Sequence, residues 1–66
     1  MHIKINGKNK SVKDDISILD LLTSNNLNPN NVVIEYNYTI LEREEWQDTI
    51  LKENDNLEVL SFVGGG

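Results

Sequence analysis

The sequence predicts an α+β fold with one main helix packed across one face of a mixed sheet of four to five strands. Three observations carry that prediction. Alternating residues around Asn6-Gly7 write a hairpin at the start of the chain. A single stretch near residues 17–26 has helical apolar spacing with a start and a stop signal. The other apolar residues fall in short, largely β-branched runs, and strands of that kind bury one face against a helix.

In "MHIKINGKNKSV", Ile3 and Ile5 face one way and His2 and Lys4 the other. Asn6-Gly7 suits a type I′ turn, whose two central residues both need positive φ. An antiparallel hairpin over residues 2–13, returning through Val12, follows from this. In "DDISILDLLTSNNLNP", Ser17 is placed to cap a helix, with Asp20 three residues later and Ile16 and Leu21 at the staple positions. Ile18, Leu19, Leu21 and Leu22 form the apolar stripe. Asn26 suits the left-handed position past the helix end, Leu27 can fold back on Leu22, and Pro29 prevents the helix from resuming.

A strand is expected at residues 32–37, with Val32, Ile34 and Tyr36 toward the helix. A turn at Asn37-Tyr38 leads to the apolar pair Ile40-Leu41. "EREEWQ" reads as a single helical or 3₁₀ turn pinned by the Trp46 indole. Thr49-Ile50-Leu51 is expected to form a brief strand and "KENDN" a turn. "NLEVLSFV" is the final strand, with Leu57 and Val59 on one face and Glu58, Leu60 and Phe62 on the other. The organisation is one domain over residues 1–63, followed by a flexible glycine tail over 64–66.

The chain has 66 residues, a net charge of −5 and no cysteine. An acidic surface repels phosphate backbones, so nucleic acid is not an expected partner. No apolar run approaches the ~20 residues of a membrane span, and the first residues lack the pattern of a signal peptide. Those features and the absent thiols lead to a cytoplasmic expectation with no membrane partner. No thiolate metal site and no cysteine nucleophile is possible. His2, the single histidine, lies on the polar side of the first strand without partners for metal or base chemistry. Asp14-Asp15, Glu42, Glu44-Glu45 and the Glu53/Asp55 pair lack calcium-loop spacing and read as solvated loop charge. The expectation is a non-enzyme with no catalytic residues, no metal and no bound cofactor.

The chain closes on "SFVGGG". A frayed end or a linker remnant is the plain explanation of three glycines. The functional one makes the Gly66 carboxylate the working group. Extended, Gly64 to Gly66 spans ~10 Å, and bare glycine backbone can be gripped closely on both sides in a narrow channel. Leu60 and Phe62, outward-facing beside the tail, would then dock a partner, with Val63, Gly64 and Gly65 held next to them.

The residues resemble the ThiS family, the ubiquitin-like sulfur carriers of thiamine biosynthesis. The resemblance spans essentially the whole chain: Asn6 in the first turn, "SILDLL", "VVIEYN", "ILEREEW" and "NLEVLSFVGGG". Arg43 and Trp46 match a family Pro-Arg-x-x-Trp segment, in which Glu42 stands where proline is common. Tyr38 and Asn54 occupy turn positions where the family often has glycine. The resemblance implies a β-grasp fold and a sulfur carrier. An E1-like (ThiF-like) adenylyltransferase uses ATP to adenylate Gly66, a persulfide donor supplies sulfur, and a ThiG-like thiazole synthase accepts it from the thiocarboxylate. The chain is then a protein co-substrate, and ATP belongs to the partner. The molybdopterin synthase small subunit shares this fold and tail, though its chains are usually longer. The same residues also admit a protein modifier or a non-catalytic binding module.

Overall fold

A computed structural model describes residues 1–62. The elements are β1 (His2–Ile5), β2 (Lys8–Ser11), α1 (Ile18–Ser24), β3 (Val32–Tyr36), β4 (Thr39–Leu41) and β5 (Asn56–Ser61), with 3₁₀ turns at Pro29–Asn31 and Arg43–Glu45. Five strands form one sheet in the order β2-β1-β5-β3-β4. β1 and β5 run parallel, and the other neighbouring pairs are antiparallel. The helix closes the sheet on one side over a core of Ile3, Ile18, Leu21, Leu22, Val32, Ile34, Trp46, Leu51 and Leu57.

The local signals work as their chemistry requires. Asn6 and Gly7 both take positive φ, 53° and 81°, in the turn between β1 and β2. The Ser17 hydroxyl accepts the Asp20 N–H at 3.0 Å and so satisfies one of the helix's unpaired donors. Past the helix end, Asn26 sits at φ 61°, and the Leu27 N–H returns to the Leu22 carbonyl at 3.0 Å. Trp46 is buried, and its indole N–H donates to the Leu41 carbonyl at 3.1 Å, which fixes the 3₁₀ turn before it.

Three expectations need correction. Thr49–Leu51 is not a strand but a single antiparallel bridge between Ser17 and Ile50. The chain at Ser17 turns at once into α1, so the partner backbone runs out after one rung. The final strand stops at Ser61, one residue before Phe62, and Val63 lies outside the described residues. Its neighbour β3 begins at Val32, and among the described residues one further bond follows, from the Phe62 N–H to the Asn31 carbonyl at 2.9 Å. Asp55 is not solvated loop charge; it is 8% exposed. Its carboxylate accepts from the Tyr36 hydroxyl at 2.7 Å, the Lys52 N–H at 2.7 Å and the Asn37 Nδ2 at 3.2 Å. Such bonds offset the cost of burying a charge. Burial first, then the hydrogen bond and the negative charge of Asp55, pushes the Tyr36 hydroxyl up to about 12, so it remains a donor through the physiological range.

The β3–β4 turn holds Asn37 at φ 49° and Tyr38 at φ 71°, and Tyr38 is 80% exposed. A residue with a Cβ strains in this region by ~1–2 kcal/mol, and this ring has little packing to offset it. Glycine removes the strain but gives back ~0.5–1 kcal/mol through the entropy of the unfolded chain. Tyr38→Gly is therefore expected to stabilise the protein by up to ~1 kcal/mol. Urea unfolding measures this directly; a lower midpoint would show that the ring packs to real effect.

Candidate functional site: the outer face of the last strand

β5 occupies the middle of the sheet, between β1 and β3, and it leads toward the glycine tail. Successive side chains on it alternate between the two sheet faces. Leu57 is fully buried beneath the helix, and Val59 packs against the same core. Leu60 is 56% exposed and Phe62 is 48% exposed, as alternation with that inner row demands. Val63, Gly64, Gly65 and Gly66, together with the proposed boundary between residues 63 and 64, lie outside the described residues.

The register adds residues that the sequence could not supply. Val33 of β3 pairs directly with Leu60, and Glu35 pairs directly with Glu58. Paired residues share a face, so Val33, Leu60 and Phe62 make a contiguous apolar patch, bordered by two carboxylates. Exposed valine in a strand is unremarkable alone; only the pairing shows that Val33 extends the patch. Two like charges set opposite each other cost up to ~1 kcal/mol, a cost that a neighbouring cationic partner would reverse.

The described residues hold no cluster of histidine, cysteine, aspartate or glutamate arranged for a metal ion. Among them, every buried side-chain nitrogen or oxygen has a hydrogen-bond partner, so none is held in reserve for a ligand. His2 is exposed, with Nδ1 3.9 Å from a Glu53 carboxylate oxygen. Arg43 donates to the Asn30 side-chain carbonyl and acts as a surface tie between the two 3₁₀ turns.

The family model described as the ThiS family matches residues 3–66. The sulfur carrier protein ThiS of Bacillus subtilis is 38% identical over 65 residues, covering 97% of this chain and 98% of that one. The crystal structure of thiamine biosynthesis protein ThiS from Geobacter metallireducens superposes with a TM-score of 0.85 at 33% identity, covering 100% of both chains. A thiazole synthase of Magnetococcus marinus is 30% identical over 66 residues, a segment that makes up 20% of that protein's length and covers 100% of this chain. Fold, tail and full-length similarity agree: the chain belongs to the ThiS family of sulfur carrier proteins.

Proposed function

We propose that the protein carries sulfur for thiazole formation on its Gly66 carboxylate, with residues 1–63 as the docking body and 64–66 as the loaded arm. The observation that carries this reading is the family match running through residue 66, glycine tail included. With no cysteine in the chain, sulfur cannot ride on a side-chain thiol. A terminal carboxylate can hold it once activated.

The carboxylate attacks the α-phosphorus of ATP on an E1-like adenylyltransferase, forming an acyl-adenylate and releasing pyrophosphate. The terminal sulfur of a persulfide then attacks the acyl carbon and AMP leaves. A thiol reduces the resulting sulfur–sulfur bond, and the thiocarboxylate remains. A thiazole synthase takes that sulfur. The thiazole synthase of Magnetococcus marinus supports such a pairing, because a segment similar to this chain lies within it. The carrier itself needs no cofactor, and ATP is consumed by its partner. Among the described residues no helix is long and apolar enough to cross a membrane, which suits a cytoplasmic place of work.

Mass spectrometry of the intact chain tests the reading after incubation with ATP, the adenylyltransferase and the persulfide donor. The expected species has one sulfur in place of one terminal oxygen. An unmodified chain under those conditions overturns the proposal.

The outer face of β5 then has a defined task, which is to hold the adenylyltransferase while the tail reacts. Phe62→Asp places an unpaired carboxylate in that apolar contact. Central aromatic anchors often contribute ~2 kcal/mol or more to binding. Phe62 is half exposed, so the fold survives the change. Pyrophosphate release is expected to need roughly thirtyfold more carrier for half-maximal rate, while the maximal rate is retained. An unchanged concentration dependence removes Phe62 from the interface.

A further inference from the structure

β1 ends at Ile5, where its ladder with β5 reaches the pair Ile5–Leu57. The Asn6 N–H still donates to the Leu57 carbonyl at 2.9 Å, but the chain then turns back into β2. β5 runs on for four more residues, to Ser61. Its β1 flank would lose pairing at Val59, where the strand approaches the docking face and the tail.

The Asn6 side chain fills that position. Its Oδ1 accepts the Val59 N–H at 2.7 Å, and its Nδ2 donates to the Val59 carbonyl at 3.2 Å. A primary amide can present its oxygen and one N–H along the same edge, as the C=O and N–H of a residue in a neighbouring strand do. The side chain therefore stands in for the missing residue of β1 and adds one more rung to the ladder. The positive φ of 53° at Asn6 lets the backbone turn away while the side chain stays with β5. Asparagine tolerates that conformation better than most residues, and glycine would tolerate it without offering the amide.

Taken with the proposed loading of Gly66, on which this inference rests, the geometry points to Asn6 as a positioning residue for sulfur loading. By gripping both backbone groups of Val59, it holds the strand straight immediately before Leu60, Phe62 and the tail. The end of the last described strand is thereby fixed before a partner meets it. Asn6 touches no reacting atom and acts through Val59 alone.

The test uses full-length protein and two variants. Asn6→Gly keeps the left-handed backbone and removes the amide. Asn6→Asp keeps an acceptor for the Val59 N–H and loses the donor to the Val59 carbonyl. In the free protein, amide hydrogen exchange at Val59 is expected to speed up about tenfold in Asn6→Gly, with a smaller change in Asn6→Asp. Exchange at Ile34, on the other side of the strand, should be unchanged in both. In pyrophosphate release with the adenylyltransferase and ATP, kcat of Asn6→Gly is expected to fall about tenfold, because a displaced tail lowers the rate of the chemical step. KM for the carrier should stay within about twofold, since the Leu60 and Phe62 contacts are retained. Asn6→Asp should recover part of kcat.

Unchanged exchange at Val59, or a change confined to KM, overturns the role assigned to Asn6. Deleting Gly66 checks the reading beneath it. Release that persists without Gly66 overturns that reading, and this inference with it. Release that depends on Gly66 but ignores Asn6 overturns the positioning role alone.

Discussion

Deleting Gly66, or adding one residue after it, is expected to abolish thiocarboxylate formation and leave the body folded. The buried core runs from Ile3 to Leu57, so neither change removes an atom from it. The chemistry is far less tolerant. One extended residue spans ~3.3–3.6 Å, whereas a displacement of only ~1 Å at a reacting centre can cost a hundredfold in rate. The longer chain also replaces the attacking glycine carboxylate by an amide carbonyl, which cannot open the reaction. Intact-mass measurement after incubation with ATP, adenylyltransferase and sulfur donor reads the result, with circular dichroism as the control on folding. Sulfur loading at normal yield on an intact extended chain would sink the assignment of Gly66.

Leu22→Ala is expected to cost ~2–5 kcal/mol, the usual range for removing a buried leucine side chain. Leu22 is 1% exposed and belongs to the layer between α1 and the sheet. That layer matters more than usual because α1 has only 7 residues. Helices shorter than ~12–15 residues are marginal alone in water, so α1 persists through its packing. A domain of this length has ~3–10 kcal/mol in total, and the substitution removes a large part of it. The expected result is a clear drop in the urea midpoint with the slope retained. An unchanged midpoint would mean that the surrounding side chains close the space left by Leu22.

The features legible in the sequence were those with a local cause. Asn6-Gly7, Ser17 with Asp20, Asn26 with Leu27, and Trp46 each act within a few residues of themselves, and each does what its chemistry implies. Exposure of Leu60 and Phe62 was legible too, because a period of two needs only one known inward residue. What stayed hidden depends on residues distant along the chain. Asp55 accepts from the nearby Lys52 N–H, but also from Tyr36 and Asn37, 19 and 18 positions away, which no local spacing announces. Val33 joins the candidate docking face only through its register with Leu60. The turn at Asn6 could be read, but its side chain reaches Val59, 53 positions away. The brief strand expected at Thr49–Leu51 failed for the same reason, since its partner at Ser17 leaves into a helix after one bridge.

The middle place of β5 has a consequence for how the protein is made. Until Asn56–Ser61 leave the ribosome, β1–β2 and β3–β4 are two separate hairpins, because the strand that joins them has not yet been synthesised. A chain broken off before that point leaves the facing edges of β1 and β3 unpaired and lacks the Leu57 that lies at the core. Unfinished copies are thus left open to proteases and lack the proposed docking face. Under the proposed function, only a chain whose synthesis has reached the last strand offers a partner the complete outer face of the sheet.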